Sequence, residues 1–448
     1  MVERALQRIQ DLDPALHAFV TLAADGARQA ARTARDEIRA GRWRGPLHGI
    51  PVGLKDVIDM ADVPTMAQSR QLAHHVPRQD ATVTRRLKDA GALLAGKLTT
   101  HEFAFGAPSW GPPGPPARNP WDHARFAGGS SSGAAVAIAS GMLFGAIGTD
   151  TAGSVRSPAA LCGVAGFKPG RQHIDRCGIL RLAGSLDAVG VLAWTVEDCA
   201  ILYEAIAAHR QATGSARPDA FPMLDRDLRG LRIGVIRHFY TKDAPISDDG
   251  QTAIEDALEV FRSLGCRVQD VTLAPLPEWN ATGMLMLLAE AFALHEPWLR
   301  GSDHLYGESL RDALLLGATI TAADYLHACD HGRRLAATLD AAFDRVDLLV
   351  TAIQPGEAPA LANIGKWSFL ERPSYGIPFN VSDHPALSIC CGMGRRGLPL
   401  AVQLVAARNG ENTLLRAGHA YELAADPRDR RPGASNPVDA ACNGINPA

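Results

Sequence analysis

Residues 128–168 read GGSSSGAAVAIASGMLFGAIGTDTAGSVRSPAALCGVAGFK. Two hydroxyl-rich clusters flank a run of small apolar residues, and the placement of these three pieces decides the rest of the chain. The opening GGSSSG at 128–133 is too flexible and too hydroxylated to be a packed element, yet it leads into Ala, Val and Ile that must be buried. The second cluster, Thr151, Ala152, Gly153 and Ser154, precedes Val155-Arg156-Ser157-Pro158-Ala159-Ala160, where Pro and Ala favour a helix start. A serine at that junction sits among free backbone N–H groups, a place where a developing oxyanion can be stabilised.

Working outward, helical and strand patterns alternate, which marks an α/β architecture. Residues 2–11 and 22–41 read as amphipathic helices, and 50–58 as an apolar strand carrying Lys55. Helices are expected at 79–90, 249–264 and 410–424 and a helix-rich region at 281–345, with strands at 92–95, 231–236, 266–271, 346–352 and 386–391. The stretch 106–126, GAPSWGPPGPPARNPWDHARF, holds so much Pro and Gly that only a loop fits, and long loops in compact domains usually carry function. There is no internal repeat and no interdomain linker. One domain over 1–425 is expected, with 426–448 as a loosely ordered tail.

Composition narrows the function classes. With 448 residues, 46% of them hydrophobic and a net charge of −3, the chain can bury a large core and has no electrostatic footprint for nucleic acid or an anionic membrane. The longest apolar stretch, 134–148, is interrupted by Ser140 and rich in Gly and Ala, so it reads as buried and not as a membrane span. The first twenty residues alternate charged and apolar side chains, so no secretory signal is expected and the compartment reads as cytoplasmic. Eight cysteines are scattered without a metal-ligand or disulfide pattern, so neither a metal nor a cofactor is expected.

Three motif readings compete. The stretch 91–98, GALLAGKL, has the glycines and lysine of a phosphate-binding loop, but Leu98 stands where a magnesium-binding hydroxyl is needed and Leu93 and Leu94 would line the cradle. Gly129-Ser130-Ser131-Ser132-Gly133 matches a Gly-x-Ser-x-Gly nucleophile elbow with Ser131 as nucleophile, yet that elbow must follow a buried strand and residues 118–127 are polar and turn-like. The third reading joins Lys55, Ser130 and Ser154. Taken singly, such a lysine is usually a solvated surface charge and such serines are usually caps or turns.

What joins them is the order of several segments: GPLHGIPVGLKD at 45–56, GKLTTHEFA from 96, RNPWD at 118–122, the Ser/Gly segment through 169, FN at 379–380 with HPALS at 384–388, and GLPLAVQL at 397–404. In this order the chain resembles the amidase signature hydrolases from its N-terminal helices to about Glu422. The resemblance implies the amidase signature fold, a large mixed twisted β-sheet with helices on both faces. It also implies Ser154 as nucleophile, Ser130 as bridging serine after a cis peptide bond, and Lys55 as terminal base. The chemistry is coherent: a serine hydroxyl is a poor nucleophile until a base takes its proton, and burial among Val52, Leu54, Val57 and Ile58 would lower a lysine pKa enough for that task. The N–H groups of Thr151, Ala152, Gly153 and Ser154 are the expected oxyanion hole.

Ser131 and Asp150 are expected in support, and Arg156, beside Asp150, reads as structural more than substrate-binding. Two departures from the family pattern stand out: Ala152, where relatives carry glycine and φ is therefore expected to be negative, and Ala352-Ile353-Gln354. Phe105, Trp110, Tyr375 and Ile377 are the expected pocket residues, with Trp367 and Phe369 nearby. This apolar and aromatic set favours an uncharged or aryl-bearing amide, carbamate or ester over a small anionic amide. The expected partner is thus a small-molecule substrate, with the chain acting as a monomer or homodimer. The alternative is the glutaminase subunit of a tRNA-dependent amidotransferase, for which no Asp and Arg pair for the glutamine α-groups is evident in the sequence.

Overall fold

The computed structural model describes residues 1–108, 110, 114–207, 224, 227–428 and 431–432. Its centre is one eleven-stranded sheet with the order β1-β3-β2-β4-β6-β5-β10-β11-β9-β7-β8. The strands are β1 (Phe19–Leu22), β2 (Pro51–Lys55), β3 (Leu93–Leu98), β4 (Gly145–Asp150), β5 (Ala165–Lys168) and β6 (Ala188–Ala193), then β7 (Arg232–Val235), β8 (Arg267–Asp270), β9 (Leu348–Ala352), β10 (Ala386–Met393) and β11 (Pro399–Ala406). Strand β2 runs parallel to both β3 and β4, and β7 parallel to β8 and β9, while the remaining pairs are antiparallel. The sheet is therefore mixed.

Burial explains which residues make which strand. Every residue of β2, β3, β4, β6 and β9 is buried, as strands covered on both faces require, so they read as apolar or small-residue runs without alternation. The edge strands β1 and β8 are partly exposed. The helix Ser132–Ala139, drawn from the small-residue run, is buried at all eight positions, the pattern of a helix enclosed on every side. Small side chains there let elements approach closely: a Cβ on Gly133 would stand 2.3 Å from the Ala18 carbonyl oxygen.

Several boundaries differ from the sequence reading. The first helix runs Val2–Leu16 and the second Ala24–Arg39, because Phe19–Leu22, expected to begin a helix, instead pairs with β3. The strand expected at 50–58 ends at Lys55. The region 281–345 resolves into the helices Leu276–Ser302, Glu308–Gly317 and Ala322–Ala342. The strands β1, β4, β5, β6 and β11 were not anticipated as strands. In β4, GAIGTD, glycines replace the β-branched residues that announce a strand.

The start of the expected loose tail is packed. Arg428 is 9% exposed and donates to the Gly163 carbonyl (3.2 Å), Glu422 (3.0 Å) and Asp426 (2.8 Å), and Arg431 lies 4.0 Å from the Trp194 ring centroid. Residues 433–448 lie outside the described residues.

Candidate active site

The site is built where β2 and β4, parallel neighbours, end at the same edge of the sheet, the usual position for ligands in open α/β sheets. Lys55 is the last residue of β2 and Asp150 the last of β4. Lys55 is fully buried, and its Nζ donates to Ser130 Oγ (2.7 Å), Thr149 Oγ1 (2.9 Å) and, more weakly, the Thr149 carbonyl (3.5 Å). Burial pulls the lysine from its ordinary value down to about 7, against the opposing attraction of the Asp150 and Asp187 carboxylates. The Gly129–Ser130 peptide bond is cis. The Ser131 N–H donates to the Ser154 carbonyl (3.1 Å), which ties the two hydroxyl clusters together.

Asp150 organises the loop that carries Ser154. Its Oδ1 accepts from the Gly153 N–H (2.9 Å), Arg156 Nη2 (2.8 Å) and Asn380 Nδ2 (3.0 Å), and its Oδ2 from the Val155 N–H (3.0 Å) and Arg156 Nε (3.0 Å). Burial alone would raise this carboxyl, but the Arg156 guanidinium outweighs it and holds Asp150 well below the carboxylate range. Arg156 is itself fully buried and also donates to Gln403 Oε1 (2.6 Å) and Asn380 Oδ1 (2.6 Å). Its role in the fold is structural, as its neighbourhood to Asp150 implied. Gly153 takes φ 111°, which only glycine adopts comfortably, whereas Ala152 is not among the residues of positive φ. With its N–H spent on Asp150, Gly153 differs from the other three expected oxyanion donors.

Ser130 and Ser154 open onto a cavity of ≈ 810 Å³. Phe105, Phe126, Leu161, Phe369, Tyr375 and Ile377 contribute its apolar wall. Trp110, expected in this wall, is instead 58% exposed and outside the lining, as is Trp367, which packs on Phe369 at 6.2 Å. Exposed charges also border the cavity: Arg372, Arg395 and Arg396 with Asp249, Glu357 and Glu371. The sequence reading found no acid and arginine pair here, because these residues come from four separate loops. Among them Arg395 Nε already pairs with Asp249 (2.9 Å).

The two competing motifs resolve into structural roles. Most of GALLAGKL is the extended strand β3, and the buried Lys97 Nζ donates to Asp56 Oδ1 (3.0 Å), Thr65 Oγ1 (2.7 Å) and the Pro64 carbonyl (3.2 Å), so nothing cradles a phosphate. Ser131 is fully buried and its Oγ donates to the Thr149 carbonyl (3.2 Å), which makes it a support and not an exposed elbow nucleophile.

Sequence reasoning gave no individual role to Thr149, the Lys97–Asp56 pair or His101. The last is buried against Gly129, where a Cβ would meet its ring at 2.1 Å. Its Nδ1 lies 2.8 Å from the Gly106 carbonyl and so carries the proton, and burial holds the imidazole down at about 4. Lys97, His101, Asn380 and Gln403 all stand inside segments that carried the resemblance; polar residues in otherwise buried segments were the available signal.

Among the described residues, no group of three or more His, Cys, Asp or Glu side chains could hold a metal ion, and no helix is long and apolar enough to cross a membrane. A family model described as Amidase matches residues 1–415. The A subunit of the glutamyl-tRNA(Gln) amidotransferase of Chloroflexus aurantiacus is 36% identical, over 96% of this chain and 94% of the relative. Among solved structures, the native peptide amidase of Stenotrophomonas maltophilia is 31% identical with a TM-score of 0.84, covering 97% of this chain and 95% of that one. A chain described with a vestigial protein complex and the origins of an s-triazine catabolic enzyme is 30% identical with a TM-score of 0.88, covering 96% and 95%. With sequence, sheet and segment order in agreement, the chain belongs to the amidase family, hydrolases that act on carbon–nitrogen bonds.

Proposed function

We propose that the protein is a serine amidohydrolase that cleaves a linear amide, aryl amide, carbamate or ester through an acyl-enzyme on Ser154. The observation that carries this reading is the 2.7 Å contact between a fully buried lysine amine and Ser130 Oγ, at a cavity that Ser154 also lines. Ser154 Oγ attacks the carbonyl carbon as its proton passes to Ser130 Oγ, whose own proton passes to neutral Lys55 Nζ. The N–H groups of Thr151, Ala152 and Ser154 are the candidate donors to the oxyanion, the Gly153 N–H being held by Asp150. As the tetrahedral intermediate collapses, the proton returns along the same path to the leaving nitrogen or oxygen. Water, activated in the same way, then hydrolyses the acyl-serine ester.

The apolar wall from Phe105 to Ile377 supports a substrate with an aryl or alkyl body, which keeps carbamates of the urethane type among the candidates. A second reading, a glutaminase subunit of a tRNA-dependent amidotransferase, is favoured by the relatives of that name, and the charges bordering the cavity offer partners for the α-amino and α-carboxylate groups of glutamine.

The test is the activity of the purified chain and its Ser154→Ala and Lys55→Ala variants against anilides, aryl carbamates, esters and glutamine. Turnover of an anilide or carbamate that both substitutions abolish is the expected result. Ammonia release from glutamine in preference to all others selects the second reading, and full turnover by Ser154→Ala refutes the mechanism.

A further inference from the structure

We infer that Thr149 is a positioning residue that fixes the direction in which Lys55 works: its oxygens take the N–H bonds of the neutral amine and leave the lone pair facing Ser130. The inference rests on the proposed role of Lys55 as base and adds what makes that base directional. An ammonium has three donors, and Lys55 Nζ has three partners: Ser130 Oγ (2.7 Å), Thr149 Oγ1 (2.9 Å) and the Thr149 carbonyl (3.5 Å). Two of the three come from one residue. A neutral amine keeps two N–H bonds and gains a lone pair, so with both N–H bonds on Thr149 the lone pair points along the shortest contact, toward the serine that must give up a proton.

The frame that holds Thr149 is rigid. Thr149 is 7% exposed and pairs with Val189 across β4 and β6, and Ser131 Oγ donates to its carbonyl at 3.2 Å. Ser131 thus acts on Lys55 through Thr149. The ionisable groups around Lys55 are Asp150, Asp187 and His101, but its hydrogen bonds go to Ser130 and Thr149, so they act on it through space.

The experiment compares Thr149→Val and Thr149→Ser with the parent chain, using hydrolysis of 4-nitrophenyl acetate across pH and inactivation by phenylmethylsulfonyl fluoride, so that no natural substrate is needed. Thr149→Val should lower kcat about ten- to hundredfold, the usual effect of losing a hydrogen bond to a charged or ionising group, with little change in KM. Its acid limb should move to lower pH, because the ammonium form loses an acceptor, a shift that a merely structural loss would not produce. Sulfonylation should slow in parallel, and Thr149→Ser should restore both rate and limb.

Thr149→Ala, which removes the same hydroxyl, serves where valine does not fold. Unchanged kcat and limb in the hydroxyl-free variants would overturn the inference. So would a faster enzyme, which would mean that the hydroxyl donates to Nζ and competes with Ser130. Full activity in Lys55→Ala would overturn the base assignment itself, and this inference with it.

Discussion

Asp150→Asn is the substitution on which the account of the loop stands or falls. The change is nearly isosteric, but it removes the countercharge of a fully buried Arg156 and turns one face of the group from acceptor into donor. That donor would then face the Gly153 and Val155 N–H groups or the Arg156 Nε and Nη2 atoms, all of which point at Asp150 within 3.0 Å. Breaking a buried pair by removing one partner costs about 3–5 kcal/mol. For a chain of 448 residues the unfolding entropy near the melting temperature is roughly 0.9 kcal/mol/K, so the expected fall in Tm is about 3–5 °C. Because the same carboxylate holds the Gly153–Val155 backbone around Ser154, activity should fall further than stability, by roughly a hundredfold in kcat, the scale of a small misplacement of reacting groups. The assay pairs calorimetry with ester hydrolysis, and adds Arg156→Met alone and combined with Asp150→Asn. The double variant should be less destabilised than the sum of the singles, since it leaves no uncompensated charge. A Tm within about 1 °C of the parent for Asp150→Asn, or strict additivity, would refute the reasoning.

Three further outcomes follow from the same geometry. Ester hydrolysis should decline as pH falls through about 7, the value to which burial brings Lys55, because the protonated amine cannot accept a proton; a pH–rate profile flat through that point would remove Lys55 as the base. Lys97→Met should lower stability by about 3–5 kcal/mol, since it leaves the Asp56 carboxylate buried without its partner, and Lys97→Met with Asp56→Leu should recover most of it in thermal melts. Gly148→Ala places a Cβ 2.7 Å from Ser131 Oγ and 3.2 Å from Val155 Cγ2, so it should cost about 1–3 kcal/mol and a larger share of kcat; parent-like kcat would show that Ser131 has room to move.

The sequence was legible where chemistry and burial coincide in a short span. Lys55 amid Val52 and Leu54 announced a desolvated amine, and the clusters at 128–133 and 151–154 announced turns rich in donors; the structure sets all three at one cavity edge. It was illegible where an element's identity comes from its neighbours. Strand β4 has neither alternation nor β-branched runs, and it is a strand because β2 and β6 clasp it on both sides. Trp110 misled for a related reason: an aromatic residue in a proline-rich loop carries no periodicity to say which way it faces. The arginines and acids that border the cavity were hidden because residues 249, 357, 371–372 and 395–396 are neighbours only after the sheet has formed.

That division between sheet and loops explains how one chemistry is kept while the substrate varies. Lys55 and Asp150 are terminal residues of parallel strands, and the pairing of Leu54 with Ile147 sends Lys55 out of the sheet alongside Gly148 and Thr149. A slip of one residue in this register would turn Lys55 to the opposite face of the sheet and separate it from Ser130. The distances within the proposed triad are therefore set by backbone pairing among fully buried strands, the least adjustable part of the molecule. The cavity wall, by contrast, is drawn from surface segments at 105–108, 353–357 and 368–377, which can change without altering that register. Relatives that share the segment order yet carry names as different as glutamyl-tRNA(Gln) amidotransferase and peptide amidase are what such a separation produces. In this chain the search for a substrate accordingly belongs to the loops, and the search for the base and its direction to β2 and β4.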